Sequence, residues 1–172
     1  SSNRGITIPN NNKSFVLTGD LDHPASETII DAAHRDRHLY FNGDQDTSWV
    51  VERITLYRGK ASGSSWQSTG GSIRLEGSCS PRFKNVVFRE NKDETNQSNG
   101  AGAITASSRA LLLLDNCTFI NNSVVSSNSS GSGGAIYLDS DPVNKKHLIN
   151  GCHFEYNFVS ATYNARGSAL FI

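Results

Sequence analysis

At 172 residues the chain is long enough to close one domain around a real core, yet hydrophobic residues supply only 36% of it and charged residues 19%. The 16 basic residues balance 16 acidic ones, so no long-range field draws in nucleic acid or an anionic membrane, and neither is expected as a partner. Ser, Asn, Thr and 15 Gly make up much of the remainder, the mixture of a turn-rich all-β chain rather than a helical one.

The chain opens at Ser1 without an initiating Met, a charged leader or an apolar leader core, which reads as a mature product or an excised fragment. Its first third carries short β-type runs: "ITIP" (Ile6 to Pro9), "SFVLTGD" (Ser14 to Asp20), "TIIDA" (Thr28 to Ala32), "LYFNG" (Leu39 to Gly43) and "ITLYRG" (Ile54 to Gly59). Between two of them, "HRDRH" places His34 and His38 four apart. That spacing would suit zinc on a helix, but between strands it reads as a solvated turn. "GDQDTS" (Gly43 to Ser48) lacks the alternating oxygen ligands of a calcium loop and reads as an ordinary turn, as does "DSD" (Asp139 to Asp141). The longest apolar run, Ala110 to Leu114, is far too short to cross a bilayer, so direct membrane insertion is not expected.

From residue 70 onward two markers recur. Glycine-led strands begin at Gly71, Gly102 and Gly134, with Ser168 in the same slot, at steps of 31, 32 and 34 residues. "VVFREN", "CTFINN" and "CHFEYN" place Phe88, Phe119 and Phe154 at steps of 31 and 35, and Leu56 fits one period earlier. Two independent markers that keep one period imply a solenoid of stacked coils. Read across coils, the columns are apolar: Val51, Phe83, Leu114 and Ile149; Ile54, Val86, Cys117 and Cys152; Leu56, Phe88, Phe119 and Phe154; Ile73, Ile104, Ile136 and Leu170. A coil of 31–35 residues with three short strands cannot bury its apolar face alone, but stacked at about 4.8 Å it builds a continuous core. The expected fold is a right-handed parallel β-helix, all-β. Residues 1–69 form its less regular leading coils and 70–172 the repeat coils of the same solenoid. "SALFI" closes the chain in mid-coil, which suggests truncation and leaves an open strand edge.

Asn91, Asn122 and Asn157 are expected at the turn after each Phe, tolerating a left-handed conformation and stacking their amides up the column. The paired glycines permit close backbone approach. Cys117 and Cys152 share an inward column within disulfide range, but in-register side chains point the same way, so a reduced, buried, stacked pair is expected. Cys79, in the turn "EGSCSP", is left without a partner.

Gly-Gly-Ala-Ile/Leu/Val alternating with Phe-x-x-Asn is the signature pair of the polymorphic outer-membrane protein repeats, best known from chlamydial autotransporter passenger domains. Residues 70–172 resemble that family at "GAIT", "GGAIY" and "GSALF" and at "FREN", "FINN" and "FEYN", although "GSI" and "GSA" replace Gly-Ala. The resemblance implies a non-enzymatic, usually adhesive protein at the cell surface or outside the cell, with a host-cell or matrix protein or carbohydrate surface as its partner.

Function is expected to sit on the long turns that recur once per coil: Lys60 to Gly70, Lys92 to Ala101, Ser123 to Gly133 and Phe158 to Gly167. They read either as solvated spacers or as a contact edge, with Trp66 and Tyr163 as the aromatic candidates. Sequons at Asn12, Asn96, Asn116, Asn121 and Asn128 are possible N-glycosylation sites and fit secretion. Two alternatives stand beside an adhesin. One is a polysaccharide-active enzyme, since many single-chain right-handed β-helices (the pectin-lyase-like solenoids) are lyases or glycosidases. The outward positions Arg74, Thr105, Tyr137, Lys84, Asp115 and Asn150 hold no stacked acidic pair for that chemistry. The other is a filament subunit stacking end to end. No catalytic residue is assigned, and no metal or cofactor is expected to be needed for folding.

Overall fold

The structure, a computed structural model, describes residues 6–8, 14–65, 68–95, 97, 99–127, 129–142 and 144–172. Among these there is no α-helix, and short parallel strands wind into a β-solenoid of about five turns. The first coil carries β1 (Ile6–Ile8), β2 (Val16–Thr18) and β3 (Ile29–Asp31). The second carries β4 (Leu39–Gly43), β5 (Val50–Glu52), β6 (Thr55–Tyr57) and β7 (Lys60–Ala61), and the third β8 (Ile73–Gly77), β9 (Arg82–Lys84), β10 (Val87–Arg89) and β11 (Lys92–Asp93). The fourth has β12 (Ile104–Ser108), β13 (Leu113–Asp115), β14 (Thr118–Ile120), β15 (Ser123–Ser126) and β16 (Gly131–Ser132). The fifth repeats these as β17 (Ile136–Ser140), β18 (Leu148–Asn150), β19 (His153–Glu155), β20 (Phe158–Ala161) and β21 (Ala165–Arg166), and β22 (Leu170–Phe171) starts the next rung.

Stacking gives sheet A (β1-β4-β8-β12-β17-β22), sheet B (β2-β5-β9-β13-β18), sheet C (β3-β6-β10-β14-β19) and sheet D (β7-β11-β15-β20), with β16-β21 as a short fifth pair. The apolar columns fall in register, with Ile73, Ile104, Ile136 and Leu170 aligned in sheet A. Val51, Phe83, Leu114 and Ile149 align in sheet B, and Leu56, Phe88, Phe119 and Phe154 in sheet C. Phe88 and Phe119 stack at 4.7 Å and Phe119 and Phe154 at 4.9 Å, both with planes 7° apart. The first two are fully buried, whereas Phe154 on the last coil is half-buried. Among the described residues, the large hydrophobics that remain exposed, such as Ile6, Val16, Ile29, Leu148 and Phe158, lie on the first and last coils.

Each full coil has a fourth strand where three were expected. Sheet D occupies the start of every segment read as a long turn, because its strands are short and largely polar on their outer side. Its inward column is Ala61, Asp93, Val124 and Val159.

The asparagine of Phe-x-x-Asn also differs from expectation in one respect. Positive φ falls one residue earlier, on Arg58, Glu90, Asn121 and Tyr156, so the corner is turned before the asparagine. The asparagine side chain instead turns inward. Asn91 N–H and Nδ2 donate to Asn122 Oδ1 at 3.1 and 2.9 Å, and Asn122 repeats both bonds to Asn157 Oδ1 at 3.0 and 2.9 Å. Each Nδ2 also reaches down to a carbonyl of the preceding coil: Leu56, Phe88 and Phe119 in turn. Buried amides bonded in this way satisfy one another without water.

The glycine pair divides two tasks. The first member turns the chain with positive φ (Gly133, +67°), while the second is crowded by backbone: a Cβ on Gly134 would lie 1.8 Å from the carbonyl oxygen of Ser168.

Candidate functional site

On the second to fourth coils the segments linking sheet D to the next strand of sheet A have buried roots, while the last segment is exposed throughout from Thr162 to Ser168. Thr69, Asp93, Thr95, Ala101 and Ser132 are buried, whereas Ser62 to Ser65 and Thr162 to Asn164 are exposed. Successive segments are bonded to one another. Gln97 Nε2 donates to Ser64 O, Thr162 Oγ1 to Ser127 O at 2.6 Å, Asn164 Nδ2 to Ser130 Oγ at 3.4 Å, and Gly131 N–H to Asn164 O at 2.8 Å. The result is a ridge along one side of the solenoid. Tyr163 stands at its last tip with 73% of its surface exposed.

The roots fold onto the outer side of sheet A and seal a polar layer there. Arg74, Thr105 and Tyr137 point outward from their strands, yet they are 2%, 0% and 6% exposed. These three outward positions are therefore not open to solvent: the face is covered. Arg74 Nη1 donates to Thr69 Oγ1 at 2.6 Å and Nη2 to Ser107 Oγ at 2.9 Å, Arg37 Nη1 to Thr69 O at 3.1 Å, and Ala101 N–H to Thr105 Oγ1 at 3.0 Å. The fully buried carboxylate of Asp93 accepts from Gly70 N–H at 3.0 Å and from Thr95 N–H and Oγ1 at 2.9 and 2.6 Å, tying two successive segments together. Burial outweighs those bonds and the nearby Arg37 charge and pushes its pKa up to about 6. At the margin of this layer Tyr40 donates to Glu76, and burial and the Glu76 carboxylate raise the phenol to about 12. Sequence reading missed this cluster. Its signal was Asp93, an acid in an otherwise aliphatic inward column.

His38 is also misread as part of a solvated turn. It is 6% exposed, with Nδ1 bonded to Ser72 Oγ at 2.9 Å and Nε2 facing the carbonyls of Ile30 (3.0 Å) and Tyr57 (3.2 Å). It pins the first coil to the next two, and burial holds its pKa down to about 4. His34 is exposed at positive φ, so the two rings do not converge. In "GDQDTS", Asp46 accepts from Ser48 N–H and Oγ as an ordinary turn does. Among the described residues no three His, Cys, Asp or Glu side chains come together as a metal-binding group.

Of the glycosylation candidates, Asn116 and Asn121 are exposed corner residues with φ of +51° and +53°. Asn12, Asn96, Asn128 and the contact candidate Trp66 lie outside the described residues. Cys117 and Cys152 are free thiols on adjacent rungs, and Cys79 is free and fully buried on the link between sheets A and B. On the outer side of sheet A, Glu76, Ser107 and Asp139 share one row. Its two carboxylates are two rungs apart, about 9.6 Å along the stack, and no acid pair occupies adjacent rungs of that row.

Comparison of the chain with protein-family models, with curated proteins and with solved structures returns no match in any of the three.

Proposed function

We propose that this chain is a non-enzymatic scaffold of the cell surface or extracellular space that holds a partner along the ridge of loop tips. The observation that carries this reading is the division of the ridge into anchored roots and exposed tips. Asp93, Thr69 and Arg74 fix the roots of the segments on the second and third coils, and bonds from Thr162 and Asn164 to Ser127 and Ser130 tie the last tip to the one before it. Weak contacts repeated at fixed spacing add through multivalency. The partner class is a host-cell or matrix protein or a carbohydrate surface, for which Tyr163 is the most exposed aromatic anchor on the ridge among the described residues. Exposed sequons at Asn116 and Asn121 fit a secreted chain.

The enzymatic alternative is less well supported. Glu76 is engaged by Tyr40, and Ser107 stands between it and Asp139 in the row, so no acid pair occupies adjacent rungs there. A filament built by end-to-end stacking has one specific observation in its favour, the exposed apolar residues of the terminal coils.

The test is binding of the purified chain to immobilised matrix proteins and glycans. Tyr163→Ala combined with Trp66→Ala is expected to lower binding at least tenfold, while Leu148→Lys and Phe158→Lys on the last coil leave it intact. Binding unaffected by the loop changes and abolished by the last-coil changes would replace the ridge with assembly as the function.

A further inference from the structure

We propose that Cys117 and Cys152 are a modification site: a vertical dithiol that a low-molecular-weight disulfide converts to a cystine, clamping the fifth coil to the fourth. The pairing of β14 with β19 sets Thr118 opposite His153 and Phe119 opposite Phe154, and His153 N–H donates to Cys117 O at 2.9 Å. The two cysteines are therefore in register one rung apart. Parallel neighbours are separated by about 4.8 Å, inside the 4.4–6.8 Å Cα window of disulfides. Both follow a corner residue of positive φ, Asn116 and Gly151. At that bend the side chains are not held to the strict parallel alignment of the strands, and the two thiols shift each other's titration. Below them the same column is aliphatic, Ile54 and Val86, so thiols occupy only its last two rungs.

The pair is asymmetric in a way that suits exchange. Cys117 is fully buried, donates weakly to the carbonyls of Phe83 and Asp115, and keeps its proton, because the neighbouring Cys152 thiol and burial both push its pKa up. Cys152 is half-buried, its Sγ donates weakly to the Asn150 carbonyl at 3.4 Å, and the neighbouring Cys117 thiol brings its pKa down to about 7. Its thiolate is the nucleophile a reagent meets first. It attacks one sulfur of the incoming disulfide, the S–S bond breaks, and one thiolate departs and takes a proton. Cys117 sulfur then attacks Sγ of Cys152 in the mixed disulfide, and its proton leaves with the second thiol. Two electrons pass to the reagent, which is released as two thiols, and one Cys117–Cys152 bond remains. Cys79 has no part in this. It lies fully buried on the link between sheets A and B, and its thiol is pushed up to about 12.

The clamp acts on the least protected part of the fold. Ile149, Phe154 and Leu170 of the last rungs are only partly buried, whereas their equivalents one coil earlier are fully buried. Closing the chain between residues 117 and 152 restricts the unfolded ensemble and ties this coil down.

The experiment incubates the native, reduced protein with oxidised glutathione at pH 8, then unfolds and alkylates it for mass analysis. The expected product has lost two hydrogens, carries one alkylated thiol at Cys79, gives a cross-linked peptide joining Cys117 to Cys152, and melts about 5–10 °C higher than the reduced chain. The Cys152→Ser chain should show the same melting temperature with and without glutathione. Three alkylatable thiols, a glutathione adduct that persists on Cys152, or a cross-link to Cys79 would each overturn the proposal.

Discussion

Asn91 donates both its backbone N–H and its side-chain Nδ2–H to one atom, Oδ1 of Asn122, on the next coil. Asn122 is fully buried, so removing its amide leaves two donors of Asn91 and the Phe88 carbonyl without those partners. Orphaned buried polar groups cost about 1–3 kcal/mol each. Asn122→Ala is expected to lower stability by about 3 kcal/mol or more in urea denaturation, while the same change at the half-buried Asn157 costs less. Equal and small effects at both positions would show that the amide ladder is not a stabilising element.

The aromatic column supplies a second graded series. Phe119 is sandwiched between Phe88 and Phe154 and is fully buried, so Phe119→Ala opens a cavity between two rings and should cost about 3–5 kcal/mol. Phe154 contacts a ring on one side only and retains partial exposure, and Phe154→Ala should cost roughly half as much. Denaturation midpoints of the two variants check the order, and a larger loss at Phe154 would contradict the packing described.

Two buried groups set opposite pH dependences in nearly the same window. His38 has its folded pKa depressed to about 4 from an ordinary 6.5, so the unfolded chain takes up the proton first and stability is lost as pH falls from 6.5 to 4. Asp93 has its folded pKa raised to about 6, so the folded chain takes up the proton first and stability is gained as pH falls from about 6 to 4. Each effect is on the order of 3 kcal/mol and the two largely cancel. Relative to the parent, Asp93→Asn should lose stability on acidification through this window and His38→Gln should gain it. Parallel profiles for parent and both variants would show that neither group titrates as its burial requires.

The solenoid itself was legible because two markers kept one period. Like residues stack on like in a parallel β-helix, so the columns of Phe88, Ile104 and Leu114 are visible in the sequence itself. Sheet D was not legible, since two of its strands are two residues long and show no alternation. The polar layer on sheet A was hidden for another reason. Arg74 and Thr105 look solvent-facing in a strand, and only the fold-back of the next segment decides that they are covered. Asp93 was readable in principle once its column was aligned with Ala61 and Val124. His38 was masked by its charged neighbours, which suggested an exposed turn, whereas Leu39 beside it already belongs to the core.

The most direct test of the ridge as the working surface is amide hydrogen exchange of the chain bound to a retained matrix or glycan partner. The account predicts slowed exchange at Ser62 to Ser65, at Ser127, Ser129 and Ser130, and at Thr162 to Asn164, with sheets B and C unchanged. Protection confined to β18, β19 and β20 on the last coil, with the tips unaffected, would contradict it.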